Sequence, residues 1–334
     1  METKIFTIDP LNFKPEDLEY AASVINAGGL VGFPTETVYG LGADADNELA
    51  VKSIYKAKGR PSDNPLIVHV DDIALCEKYV QKIPRKAEIL MGRFWGGPLT
   101  IIMKKSKHAK DCVTAGLDTV AVRMPSHPVA HELIKASKTG IVAPSANISG
   151  RPSPTVAEHV IKDFNGKIDC IINSGATRYG LESTVIDMSM DVPTVLRPGA
   201  VSLEMIREMF PDAVYGGGGT GTPKSPGMKY KHYAPKAKVT VIKGEITKAF
   251  EKSAENVAVI DYDYNKDLYK GKIFLPAGCD DSDYGARLFY LLRKADEEGA
   301  QVIFAADPKG GSNVTDALRN RLYKSAAGEI LVIE

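Results

Sequence analysis

The stretch Lys56-Ala-Lys-Gly-Arg60-Pro-Ser-Asp-Asn64-Pro-Leu-Ile-Val-His69-Val70 decides how the chain is read. Three cations, Lys56, Lys58 and Arg60, stand at every second position, beside a glycine and a proline that break helices. Extended backbone places alternate side chains on one face, so all three are expected to point into one cleft. Such a cluster suits a polyphosphate, because Arg grips two oxygens at once and Lys adds a compact charge. Residues 66–70 then read as a buried strand with one polar member, His69. The competing reading is a solvated helix end, a turn and an ordinary core strand, since charge runs usually face water.

Composition bounds the function. At 334 residues the chain can bury two cores. It is 44% hydrophobic and 25% charged, with zero formal net charge. Residues 1–210 carry 24 Lys and Arg against 25 Asp and Glu, and residues 211–334 carry 18 against 17. Neither half is basic, which argues against bulk electrostatic binding to nucleic acid. Cys76, Cys112, Cys170 and Cys279 show no CxxC spacing, so neither a disulfide framework nor a zinc site is expected. No stretch is apolar enough to span a membrane, and the start Met-Glu-Thr-Lys-Ile-Phe lacks signal-peptide features, so a cytoplasmic location is expected.

Working outward, a helix over 15–27 is closed by Gly28 and Gly29, and a short strand over 30–33 leads into Pro34-Thr-Glu-Thr-Val-Tyr-Gly-Leu-Gly42. That segment reads as a loop lining a site or as a plain strand–turn–strand. A helix over 47–57 delivers the cations. Downstream come a helix over 85–93, a strand over 101–103 and a basic run over 104–110 that reads as a solvated loop. The strand over 119–124 places Thr119, Ala121 and Arg123 on one face. His127 and His131 stand four apart ahead of and within a helix over 128–137, but with no third ligand near they read as surface or cap residues. A strand over 141–143 ends in Pro144-Ser-Ala-Asn-Ile-Ser-Gly150, small polar residues where open α/β sheets place binding loops.

The fold expected over 1–210 is α/β, a twisted mixed sheet flanked by helices. Residues 211–236 form a Gly/Pro-rich linker whose run Gly216–Gly221 lacks the P-loop pattern. Its second part, Ser225-Pro-Gly-Met-Lys-Tyr-Lys-His-Tyr-Ala-Pro235, sets two tyrosines, a histidine and two lysines between prolines and is expected to be a docked, ligand-contacting arm. Residues 237–334 alternate strand and helix and are expected to form a small, mainly parallel Rossmann-like sheet. They carry no dinucleotide fingerprint.

In order along the chain, Pro34–Gly42, Lys56-x-Lys-x-Arg-Pro-x-x-Asn-Pro-Leu-Ile-Val-His-Val70, Val120-Ala-Val-Arg-Met-Pro125, Ala143-Pro-Ser-Ala-Asn-x-Ser-Gly150, Glu182-Ser-Thr-Val-Ile-Asp187 and Leu196-Arg-Pro-Gly199 resemble the threonylcarbamoyl-AMP synthases. The linker segment 225–235 marks the resemblance as one to the long, two-domain form with a YrdC-type catalytic domain, in which it is expected to fold over the catalytic cleft as an active-site lid. It covers nearly the whole chain. One departure is Gly96, where that family usually carries proline.

The resemblance implies a nucleotidyltransferase that joins L-threonine, bicarbonate and ATP into threonylcarbamoyl-adenylate and pyrophosphate, for tRNA N6-threonylcarbamoyladenosine. It implies Lys56, Lys58 and Arg60 as the catalytic cations. For ATP it implies Arg60, Asn64, Thr119, Ser145, Asn147, Ser153, Arg197 and Tyr233. For threonine it implies Thr35, His69, Arg123 and Ser183, with Arg123 on the free carboxylate. No resident metal is expected; Mg²⁺ would ride on the ATP phosphates. Hand-off of the adenylate to a tRNA threonylcarbamoyl transferase is implied, with tRNA contact weak or indirect. The alternative from another class is an RNA-binding or ribosome-assembly protein using the same basic cleft.

Overall fold

Short apolar runs alternate with amphipathic helices through the first two hundred residues, and in the computed structural model they build one large mixed sheet. The structure describes residues 2–216, 232–252 and 256–333. The strands of the large sheet are β1 (Lys4–Thr7), β2 (Val31–Phe33), β3 (Gly40–Asp44), β4 (Ile67–His69), β5 (Leu99–Lys104), β6 (Thr119–Arg123), β7 (Ile141–Val142), β8 (Cys170–Asn173), β9 (Thr184–Asp187), β10 (Thr194–Arg197) and β11 (Val214–Tyr215). Their spatial order is β1-β8-β2-β3-β7-β4-β6-β5-β9-β10-β11. At its centre β4 runs parallel to β6, β6 antiparallel to β5, and β5 parallel to β9.

Alternation along these central strands sorts their side chains onto two unlike faces. Val68, Val120, Val122, Ile101, Met103 and Ile186 point into the main core. They meet the apolar sides of α1 (Glu19–Asn26), α2 (Glu48–Lys58), α3 (Ile73–Tyr79), α4 (Arg85–Phe94), α5 (Asp111–Thr114), α6 (Pro128–Ser137), α7 (Ala157–Phe164) and α8 (Leu203–Arg207). Their neighbours in sequence, Ile67, Ile102, Ala121 and Val185, form a separate small cluster with Leu196 packed beside it. A strand buried on both sides in this way reads as a nearly unbroken apolar run.

Of the two readings of segment 34–42, strand–turn–strand is the one its end follows: Gly40, Leu41 and Gly42 pair antiparallel with Phe33, Gly32 and Val31. A Cβ at Gly42 would come within 2.8 Å of the Phe33 ring, so the glycine is what lets the ring lie across the neighbouring strand. The cation run, expected to be extended, is helical as far as Lys58. Asn47 caps α2 by accepting from Leu49 N (3.1 Å) and Ala50 N (3.2 Å), and the helix runs on through Lys58 to Gly59, whose φ of 60° ends it. Two positions apart on a helix is about 200°. Lys56 and Lys58 therefore leave on opposite sides, and only Lys58 is buried.

The chain forms two compact units. The second holds the described residues from 232 onward together with Gly150–Ser153 and Tyr179–Leu181, two short segments of the first half of the sequence. Its sheet is all parallel, formed by β12 (Lys238–Lys243), β13 (Val257–Asp261), β14 (Ile273–Pro276), β15 (Val302–Ala306) and β16 (Ile330–Val332) in the order β14-β13-β15-β12-β16. Helices α9 (Asp281–Glu297) and α10 (Thr315–Ser325) complete it. The loop after β15 turns the backbone N–H groups of Lys309 (3.1 Å) and Gly310 (2.9 Å) onto the buried Asp281 carboxylate. In related topologies such a loop receives a ligand's phosphate; here the protein's own carboxylate takes the donors.

The capping of α2 gives a stability prediction. Asn47→Ala should lower unfolding stability by about 1 kcal/mol, read from urea denaturation midpoints. No loss would mean that the two observed cap bonds contribute nothing.

Candidate active site

On the face turned away from the main core, register brings one polar residue from each central strand into line. His69 on β4 pairs with Arg123 on β6, and Arg123 pairs with Thr100 on β5. Thr100 Oγ1 lies 2.8 Å from Ser183 Oγ, just before β9. Arg197 at the end of β10 donates from Nη2 to Ser183 Oγ (3.1 Å) and from Nε to the Ser183 carbonyl (3.0 Å). All five are buried. Of the residues implied for threonine, His69, Arg123 and Ser183 thus share one row, and Arg197, implied for ATP, is hydrogen-bonded into it.

Thr119 opens β6 on the same face, four residues before Arg123 and roughly 13 Å away at strand rise. The floor between them is the small apolar cluster. Asn64 lies ahead of β4 and is 1% exposed, and neither its amide nitrogen nor its amide oxygen has a hydrogen-bond partner among the described residues. Burying an amide without partners costs on the order of 1–3 kcal/mol, a price that ligand contact would offset.

The three cations that the resemblance implies as catalytic do not converge. Lys58, 2% exposed, turns its ammonium to the backbone carbonyls of Ser145 and Asn147 (2.6 Å for the latter), while Ser149 N donates to the Lys58 carbonyl (2.9 Å). Lys58 is thereby joined to the backbone at Ser145 and Asn147. Arg60 donates from Nη2 to the carbonyls of Asn64 (3.3 Å) and Pro65 (3.4 Å). Lys56 is exposed and lines an outer cleft with Tyr55, Arg60 and Asp111. The helix geometry above is the reason: period 3.6 has replaced period 2.

Thr35 and Glu36 come from the loop after β2. Thr35 Oγ1 donates to the Val38 carbonyl (2.6 Å) and lies 2.8 Å from Thr37 Oγ1, so its own proton is spent on shaping the loop. Glu36 was given no role by the sequence reading. It is buried and pairs with Arg123, Nη2 to Oε1 at 2.7 Å, while Ser126 N donates to Oε2 (3.1 Å). The signal was present as the one carboxylate in a segment of small and apolar residues. A buried guanidinium on a strand needs a counter-charge, and that requirement could have found it.

Ser153 and Tyr233 belong to the second unit. Tyr233 is buried, adopts φ 65°, and stacks on Phe289 of α9 with ring centroids 5.0 Å apart. The residue after it is tied down by a bond from Ala234 N to the Gly150 carbonyl (2.9 Å). Residues 225–231 of the expected lid lie outside the described residues. The two spaced histidines part company: His131 Nε2 lies 3.0 Å from the Asp71 carbonyl, and His127 sits at the N-cap of α6.

A mixed sheet carrying a polar row on the face away from its core, followed by a small parallel α/β unit, defines the YrdC type of enzyme in its two-domain form. A family model described as "Telomere recombination", of the Sua5/YciO/YrdC group, matches residues 23–199, and one described as "Threonylcarbamoyl-AMP synthase, C-terminal domain" matches 201–327. The threonylcarbamoyl-AMP synthase of Pyrococcus abyssi is 45% identical over 95% of this chain and 96% of its own length. That of Bacillus subtilis is 41% identical over 99% and 100%. The crystal structure of P. abyssi Sua5 complexed with L-threonine matches with a TM-score of 0.93 and 42% identity, covering 99% of this chain and all of that one. The chain belongs to the threonylcarbamoyl-AMP synthase family. An RNA-binding protein built on the same cleft is not favoured by these matches. Among the described residues no helix is long and apolar enough to cross a membrane.

Burial, and secondarily the Arg123 charge, pushes the His69 ring down to about 3. The folded protein thus holds it neutral, while the unfolded chain protonates it below about 6.5. Between these values the unfolded state binds more protons, so stability falls as pH drops, by about 2 kcal/mol from pH 7 to pH 5. His69→Gln should lose that part of the slope in urea melts at the two pH values. An unchanged slope would contradict a ring kept neutral by burial.

Proposed function

We propose that the polar face of the large sheet is where this chain, as a threonylcarbamoyl-AMP synthase, assembles its product from L-threonine, bicarbonate and ATP. The observation that carries the proposal is the row His69–Arg123–Thr100–Ser183–Arg197, buried on the face opposite the main core. Threonine is assigned to the Arg123 end of that face, with its carboxylate on the guanidinium. Neutral His69, Thr35 and Ser183 are assigned to the same substrate, whose hydroxyl gives a hydrogen-bonding set something to select. ATP is assigned to the Thr119 end, with Asn64, Arg60, Ser145 and Asn147, and is assigned to reach Arg197, which stands in the row at the Arg123 end. The inclusion of Ser153 and Tyr233 rests on the resemblance alone.

The chemistry is addition of the threonine amine to bicarbonate with loss of water, then attack of a carbamate oxygen on the α-phosphorus with departure of pyrophosphate. It asks for positioning and charge neutralisation more than for a covalent nucleophile. Buried cations serve this better than exposed ones, because a water-poor site screens them less. Lys58 and Arg197 meet that condition and Lys56 does not. Among the described residues no group of three or more His, Cys, Asp or Glu is arranged to hold a metal ion; Mg²⁺ enters the proposal as part of the nucleotide substrate, with water completing its shell. The adenylate would pass to a tRNA threonylcarbamoyl transferase in the cytoplasm, with only weak or indirect tRNA contact by this chain.

Pyrophosphate release from MgATP tests the reading. Release should require both threonine and bicarbonate; release indifferent to threonine would refute the assignment of the row to that substrate. Within the cation run, Lys58→Ala should lower kcat by about a hundredfold or more, whereas Lys56→Ala should stay within about threefold. Equal losses would mean that Lys56 works at the reacting atoms despite its outward position.

A further inference from the structure

We infer that Glu36 is the positioning residue for substrate carboxylate recognition, leaving Arg123 a single edge to offer. The inference rests on the assignment of Arg123 to the threonine carboxylate made above. Arg123 donates from Nε to the Gly97 carbonyl (3.3 Å) and from Nη2 to Glu36 Oε1 (2.7 Å). In a guanidinium, Nε–H and one N–H of Nη2 run parallel along the same edge, the side-on fork used in many bidentate pairs. Both nitrogens of that fork hold protein acceptors. What remains is the end-on edge with Nη1, which has no hydrogen-bond partner among the described residues.

Glu36 is itself held from two directions. Its other oxygen accepts from Ser126 N (3.1 Å), in the connection between β6 and α6. Its backbone lies in the loop that Thr35 fastens by donating to the Val38 carbonyl. Both partners of the pair are almost wholly buried, so neither can swing into water without leaving the other's charge uncompensated. A carboxylate arriving at such a pair has one bidentate pose, and that pose fixes where the α-amine lies relative to the nucleotide. Glu36 therefore acts on threonine through Arg123.

The test compares wild type with Glu36→Gln, Glu36→Asp and Arg123→Ala in the full chain, reading kcat, KM for threonine, KM for MgATP and the melting temperature. Glu36→Gln keeps the size and an acceptor oxygen but removes the charge that anchors the guanidinium. It should raise KM for threonine at least tenfold while KM for MgATP stays within twofold. Glu36→Asp, which restores the charge on a shorter stem, should recover part of that loss. A rise in both KM values with a lowered melting temperature in Glu36→Gln and Glu36→Asp alike would make Glu36 a structural residue only and overturn the inference. So would a threonine KM within twofold of wild type in Glu36→Gln when Arg123→Ala raises it strongly. If Arg123→Ala also leaves the threonine KM unchanged, the assignment of Arg123 fails, and the inference falls with it.

Discussion

A strand buried on both faces must satisfy two environments with one alternating sequence, and β6 is where the structure meets that demand. Val120 and Val122 go into the main core, while Thr119, Ala121 and Arg123 go to the other side. Because the period is two, neither set can move without the other. The arginine is thereby committed to a buried position, and a buried guanidinium demands a counter-charge and acceptors. Glu36 and the Gly97 carbonyl supply them. The loop after β2 is in turn shaped so that Glu36 reaches Arg123. The stable packing of one face and the chemistry of the other are two consequences of one strand.

The same logic separates the lysines. Turning a lysine at a helix end into the protein needs the right helical phase, and α2 gives it to Lys58 but not to Lys56. Lys58 spends its donors on the Ser145 and Asn147 carbonyls, which joins the end of α2 to the segment after β7. It is a strut as well as a charge. In the second unit, the donors of the loop after β15 are occupied by Asp281, so a parallel sheet of familiar topology carries no open phosphate cradle there.

Much of this was legible in the sequence for identifiable reasons. Thr119, Ala121 and Arg123 share a face because alternation is a direct reading of period two. The helix over Pro128–Ser137 has a clear apolar pattern and opens on a proline at its first position. The strands β1 and β11 were not legible: both are short and largely exposed, and their pairing with β8 and β10 is tertiary information. The cation run misled because Gly59 and Pro61 mark a helix end without saying on which residue it falls, and a shift of that boundary turns period two into period 3.6. Glu36 was passed over because its partner is 87 residues away along the chain.

The most direct test of the central claim is a crystal structure of this protein with L-threonine bound. Threonine is expected on the sheet face away from the main core, its carboxylate against the Nη1 side of Arg123 and its remaining polar groups near His69 and Ser183. Threonine seated elsewhere, or turned so that another cation holds its carboxylate, would contradict the assignment of that face.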